Sequence, residues 1–240
     1  VTGELVRHPD AETLAADVAS RLLERLEEAQ SRGEVPQIGL TGGSIADAIH
    51  RELARRAPDS SVDWSRVVIW WGDERFVAAD SPDRNERQAR EALLDHVPVS
   101  PAHVHPVPSS SEVPTAEDAA AAYSATLGTH GADGFDVLML GVGPDGHVAS
   151  LFPGHEALDA DDTVAVAVHG SPKPPPDRVS LTFPALNRAK AVWFLVSGEE
   201  KAAAVAAARS EGPVSETPAR GVRGLDETLW LVDETAASRL

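Results

Sequence analysis

Val67-Val68-Ile69-Trp70-Trp71 and Phe135-Asp136-Val137-Leu138-Met139-Leu140 are short, almost unbroken apolar runs, each followed by glycine and polar residues. A strand with one wet face alternates apolar and polar side chains, whereas a strand covered on both faces has no need to. Runs of this kind between helical patterns predict central parallel strands in a layered α/β structure. The helical patterns are present. From Asp10 to about Gln30, Leu14, Val18, Leu22 and Leu26 recur every fourth residue, with Asp10 placed as N-cap and Gly33 as terminator. Ile45, Ile49 and Leu53 mark a helix that stops before Pro58, and others are expected from about Asn85 to Leu94, Ala116 to Leu127 and Glu199 to Arg209. Gln37 to Leu40, Val179 to Thr182, Ala191 to Val196 and Thr228 to Val232 read as the remaining strands. The alternation predicts a doubly wound, mainly parallel α/β sheet with helices on both faces. Residues 1–240 are expected to form a single domain, although two small ones would also fit this length.

Composition narrows the chemistry. There is no cysteine, which removes disulfides, cysteine-ligated metal and thiol catalysis. The N-terminus shows no basic stretch leading into an apolar core, and no run approaches the ~20 apolar residues of a membrane span, so a cytoplasmic protein is expected. A formal charge of −17 opposes nucleic acid or an anionic membrane as partner. A small anion remains compatible, because distant carboxylates are screened beyond ~8 Å at physiological salt.

Doubly wound sheets bind ligands beyond the carboxyl ends of their strands, and the polar motifs of this chain gather there. Thr41-Gly42-Gly43-Ser44 joins a strand to a helix, so its amides and the positive helix end would meet an anion such as phosphate. A plain tight turn with Ser44 as N-cap is the alternative. The Gly-Lys-Ser/Thr ending of a nucleotide-triphosphate loop is missing. Gly141, Gly143 and Gly146 satisfy the dinucleotide spacing, but Asp145 would oppose a pyrophosphate and Pro153-Gly154 interrupts the helix that should follow.

Asp145 and His147 stand two residues apart in that second loop. With an ordinary pKa near 6.5, a histidine there can take a proton from water and return it to a leaving alkoxide; the alternative is a structural hydrogen-bonding role. Asp73, Glu74 and Arg75 put two carboxylates and a guanidinium at another strand end, as a site or as a solvated charge cluster. Lys173 reads as part of an exposed proline-rich loop, Arg178 opens a strand, and Lys201 sits in a first helical turn, where a cation is unfavourable without an anion nearby. His103 and His105 show no metal-site spacing, and no Gly-x-Ser-x-Gly elbow supports a serine triad.

Several ordered segments resemble the 6-phosphogluconolactonases, within the larger group that includes the glucosamine-6-phosphate deaminases. They are LTGGS at Leu40 to Ser44, WGDERFV at Trp71 to Val77, DRNERQAR at Asp83 to Arg90, GVGPDGHVASLFPGH at Gly141 to His155, PKPPPDRVSLT at Pro172 to Thr182, SGEEKA at Ser197 to Ala202 and PARGV at Pro218 to Val222. The resemblance implies a deaminase-like fold and hydrolysis of 6-phosphogluconolactone to 6-phosphogluconate in the oxidative pentose phosphate pathway, with no cofactor or metal. The partner implied is a phosphorylated sugar lactone, held by Thr41 to Ser44, Arg178 and Lys201. His147 is implied as the base, oriented with the water or sugar by Asp145 and Asp73, and Arg75 as the stabiliser of negative charge. Deaminase or isomerase activity fits less well, since Arg75 stands where those enzymes carry tyrosine. A non-catalytic sugar-phosphate sensor is the other alternative, and no helix-turn-helix accompanies it.

Overall fold

The computed structural model describes residues 3–131 and 134–240. Six parallel strands form the main sheet: β1 (Glu4–His8), β2 (Gln37–Leu40), β3 (Val68–Trp71), β5 (Val137–Gly141), β8 (Ala191–Val196) and β9 (Glu227–Asp233), in the order β1-β9-β8-β5-β2-β3. A smaller antiparallel sheet contains β4 (Asp73–Arg75), β7 (Arg178–Leu181) and β6 (Ala165–Val168), in that order. The helices are α1 (Ala11–Ser31), α2 (Ser44–Arg56), α3 (Asn85–Ala92), α4 (Ala116–His130), the single-turn α5 (Phe183–Leu186) and α6 (Ala202–Ala208).

The apolar runs divide between the two faces residue by residue. Ile69, Trp71, Val137, Met139, Trp193 and Leu195 pack with α1, α2 and α3 on one face. Val68, Trp70, Leu138, Leu140, Val192 and Phe194 pack on the other with α4, α6 and the small sheet. The continuous hydrophobicity is thus two period-two patterns superposed, one for each core. The doubly wound arrangement expected from sequence is observed, and the small sheet is an addition to it. Helix α1 begins as expected, with the Asp10 carboxylate accepting from Thr13 N at 2.7 Å. Helix α2 departs in one detail: Gly43 at φ 102 is its N-cap, and Ser44 is its first helical residue.

Strand order locates the crevice. From β2 the chain moves outward to β3 and then returns across β2 to place β5 on its other side. The loops after β2 and β5 consequently diverge over opposite faces, which opens a gap at their carboxyl ends.

Strand β3 lies at the edge of the main sheet, so its outward backbone groups lack a neighbouring strand. His105 N donates to Ile69 O at 3.0 Å. The Tyr123 hydroxyl donates to Trp71 O at 2.8 Å and accepts from Trp71 N at 2.9 Å. Burial pushes this phenol well above its ordinary pKa, so it keeps the proton it donates. Tyr123→Phe strands a buried donor and acceptor together and should lower unfolding stability by roughly 1–3 kcal/mol. Urea denaturation followed by tryptophan fluorescence measures this, and an unchanged midpoint would refute the capping role.

Candidate active site

At Gly72 the chain passes from the main sheet into the small one. Gly72 N donates to Leu40 O at 3.1 Å, while Leu181 N donates to Gly72 O at 2.9 Å. The next three residues pair with β7, which sets Asp73 opposite Ser180 and Arg75 opposite Arg178. Asp73 is buried and doubly held: Ser150 Oγ donates to its Oδ2 at 2.6 Å, and Asn85 Nδ2 donates to its backbone O at 2.9 Å. Glu74 points away into the protein, at 1% exposure. It accepts from Arg75 N at 2.8 Å, Asn85 N at 2.7 Å and Glu86 N at 2.8 Å. Since α3 has no side-chain cap of its own, Glu74 supplies the acceptor for its first amides from a distant strand. Burial lifts the Glu74 carboxyl to about 7 against the opposing pull of Arg84 and these amides.

The loop after β5 is a tight turn rather than the start of a dinucleotide-binding helix. Gly146 N donates to Gly143 O at 2.9 Å and Gly143 N to His147 O at 2.9 Å, with Gly146 at φ 83. The turn folds the imidazole of His147 over Gly143, where any Cβ would run into the ring and into the Asp145 carboxylate. His147 Nδ1 lies 2.5 Å from Asp145 Oδ1, and the ring packs on Phe152 at 4.6 Å between centroids. Burial alone would raise Asp145, but the hydrogen bonds and charge of His147 outweigh it and take the carboxyl down to about 2. An ionised carboxylate only accepts, so Nδ1 carries a proton, and Nε2 is the nitrogen left to exchange one with a substrate or water. Asp145, rather than Asp73, is therefore the direct partner of His147.

These loops enclose a cavity of about 280 Å³ over the carboxyl ends of β2 and β5. Its walls include Thr41, Gly42, Gly43, Asp73, Arg75, His147, Arg178 and Lys201 from the expected set. Ser44 and Asp145 do not line it; Ser44 is exposed at the start of α2, and Asp145 acts through His147. Lys201 Nζ donates to Val142 O at 3.0 Å, and burial followed by the charge of Lys173 holds its pKa below the usual lysine value. Arg178 is buried, and its guanidinium carbon lies 5.6 Å from the centre of the Phe152 ring. Its Nε donates to Pro175 O at 3.3 Å and its Nη2 to Lys173 O at 3.0 Å, so much of the guanidinium holds the proline-rich loop in place.

That loop leaves Lys173 exposed, as expected from sequence, and also brings it to the cavity wall. Like charges placed opposite each other on paired strands, as Arg75 and Arg178 are here, are unfavourable unless an anion lies between them. Another cavity, about 350 Å³, lies near the opposite strand ends by Gln37 and Phe135. Among the described residues, Arg188 is its sole charged lining residue, and they offer no acid–base pair. Among the described residues, no cluster of His, Asp or Glu is arranged to hold a metal ion, and no helix is long and apolar enough to cross a membrane.

A family described as glucosamine-6-phosphate isomerases/6-phosphogluconolactonase matches residues 9–230. The chain belongs to this family. A 6-phosphogluconolactonase of Streptomyces coelicolor is 46% identical over 100% of this chain and 95% of its own length. One of Mycobacterium tuberculosis is 43% identical over 97% and 96% respectively. The solved 6-phosphogluconolactonase of Trypanosoma brucei superposes with a TM-score of 0.86 at 29% identity, over 99% of this chain and 98% of that one. A monomeric glucosamine-6-phosphate deaminase, at TM-score 0.84 and 18% identity, shares the fold.

Within this isomerase/lactonase frame, sequence reasoning missed three site residues: Lys173, Asn85 and Ser150. Lys173 and Asn85 stand in segments that carried the resemblance, but their chemistry depends on which way loop and helix turn. The geometry of the Asp145–His147 pair is testable through Gly143→Ala. A downfield proton resonance from His147 Nδ1–H is expected in the unsubstituted chain and should vanish in Gly143→Ala and in Asp145→Ala. A resonance that survives both changes would rule out the pairing.

Proposed function

We propose that this chain hydrolyses 6-phospho-D-glucono-1,5-lactone to 6-phosphogluconate, working as one domain whose two sheets both supply walls of the crevice. The observation that carries this reading is the location of the Asp145–His147 pair. It opens on the same cavity as Arg75, Lys173, Arg178 and Lys201. An acid–base group beside a concentrated positive field, in a molecule of net charge −17, suits an anionic substrate that reacts with water. The activity in the names of the similar lactonases supports it, as does Arg75 at the strand end.

In this reading the phosphate lies against Thr41 to Gly43 and the ammonium of Lys201, with Lys173 closing from the loop that Arg178 holds. His147 Nε2 takes a proton from water as the water oxygen bonds to the lactone C1. The carbonyl electrons move onto its oxygen, and the Arg75 guanidinium stabilises that charge. As the tetrahedral intermediate collapses, the bond from C1 to the ring oxygen breaks. His147 returns its proton to that oxygen, leaving a free hydroxyl and the carboxylic acid, which then ionises. Asp145 keeps the imidazole in the required tautomer and stabilises its protonated form. Asp73, fixed by Ser150 and Asn85, faces the sugar hydroxyls.

Acid release from freshly prepared lactone, measured above the spontaneous rate, tests the reaction. The unsubstituted chain should accelerate it, and His147→Ala should lower kcat by about 10²–10⁴-fold. A chain that adds nothing to the background rate defeats the proposal. Phosphate recognition is tested by comparing the phosphorylated lactone with plain gluconolactone: Lys201→Ala should raise KM for the first and leave the second nearly unchanged. Equal losses on both would remove Lys201 from the phosphate site.

A further inference from the structure

Arg75 carries a flexible side chain, yet its proposed work requires the guanidinium to stand at one place in the cavity. Its Nη1 donates to Asn85 Oδ1. Among the described residues its buried Nε has no hydrogen-bond partner. Asn85 is 1% exposed and opens α3. Its side-chain Nδ2 donates to Asp73 O at 2.9 Å and approaches Asp73 Oδ1 at 3.5 Å. The orientation of the amide follows from its neighbours, because a carbonyl only accepts and a guanidinium only donates. Its backbone N donates to Glu74 Oε1 at 2.7 Å, which fixes the residue from the main-chain side as well. Gly42 belongs to the same unit: a Cβ there would collide with Asn85 Oδ1 and come within 3.0 Å of Arg75 Nη1. The glycine of the phosphate loop therefore leaves room for the amide that aims the arginine.

We propose that Asn85 is a positioning residue that aims the Arg75 guanidinium at the developing negative charge and ties its placement to that of Asp73. This rests on the lactonase reading for its catalytic meaning, while the placement itself is a property of the chain. Aspartate, leucine or alanine would each fail differently. Aspartate keeps the acceptor for Arg75 but turns a carboxylate toward the Asp73 carbonyl; leucine and alanine offer neither partner.

The test combines two readouts. In nitrogen-15 spectra the Arg75 guanidinium, assigned by its loss in Arg75→Ala, should show hindered rotation in the unsubstituted chain and free rotation in Asn85→Ala. In lactone hydrolysis, Asn85→Ala should lower kcat by roughly 10–100-fold with KM changed less than about threefold. The same substitution in an Arg75→Ala background should change kcat by less than about twofold, since the group it positions is gone. Equal losses in both backgrounds, or a guanidinium signal unchanged by Asn85→Ala, would overturn the proposal. If Asn85→Ala does not fold, Asn85→Asp is measured in the same two ways. It should keep the hindered signal, because a side-chain oxygen still accepts from Arg75, and its loss of kcat should fall short of that in Arg75→Ala; a guanidinium that rotates freely in Asn85→Asp, or a loss as large as in Arg75→Ala, overturns the proposal. A chain with no lactonase activity would defeat the functional reading, and the spectra would still decide whether Asn85 holds Arg75.

Discussion

The site depends on one residue being shared by two sheets. Gly72 bonds to Leu40 on its amide side and to Leu181 on its carbonyl side, so the chain leaves one sheet and enters the other without an intervening loop. A side chain at this junction would stand 3.0 Å from Leu140 Cδ2, inside the core beneath the crevice. Because the junction is rigid, the three residues after it inherit their facing from the pairing of β4 with β7. Asp73 and Arg75 turn to the cavity and Glu74 turns inward. Catalytic groups carried on paired strands are held more closely than groups carried on free loops.

The inward residue sets a second level of order. A buried carboxylate is unfavourable unless its oxygens are occupied, and three backbone amides, two from α3, occupy those of Glu74. Arg84 lies beside it, buried, with Nη2 donating to Val107 O at 2.7 Å. Such buried polar groups add little net stability compared with apolar side chains of similar volume. What they determine here is register: α3 can dock only where its amides meet Glu74, and that position brings Asn85 to Arg75.

The core of the fold was legible because two physical signals coincide. Runs such as Val67 to Trp71 are too apolar for a half-exposed strand and too short for a helix of full length, and helical patterns separate them. Strands β4 and β6 were not legible as such. Asp73-Glu74-Arg75 has no strand-forming character, and its pairing is imposed by the junction at Gly72 and by β7. Strand β1 lies within the first ten residues, where Arg7 and His8 break any apolar pattern. In the site, His147 and Asp145 could be paired from their spacing once a tight glycine turn was assumed. Arg178 is implied as a phosphate ligand by the resemblance, and sequence alone gives its charge without direction; its hydrogen bonds show that it also orders the loop bearing Lys173. Asn85 carried no charge to draw notice, and its significance came from two residues ten or more positions away.

The hydroxyl of Tyr123 that closes Trp71 also bears on how the folded chain avoids its own kind. Val67 to Trp71 is what a template for cross-β growth looks like: short, apolar, uncharged, rich in β-branched and aromatic residues, and free of proline. Exposed at a sheet margin, it would invite accretion of further polypeptide, strand upon strand. With Trp71 bonded in both directions by one phenol and Ile69 taken by His105, an incoming chain finds few open backbone groups to read. The docking of α4, which carries Tyr123, and the segment bearing His105 therefore also shield this margin from an added strand.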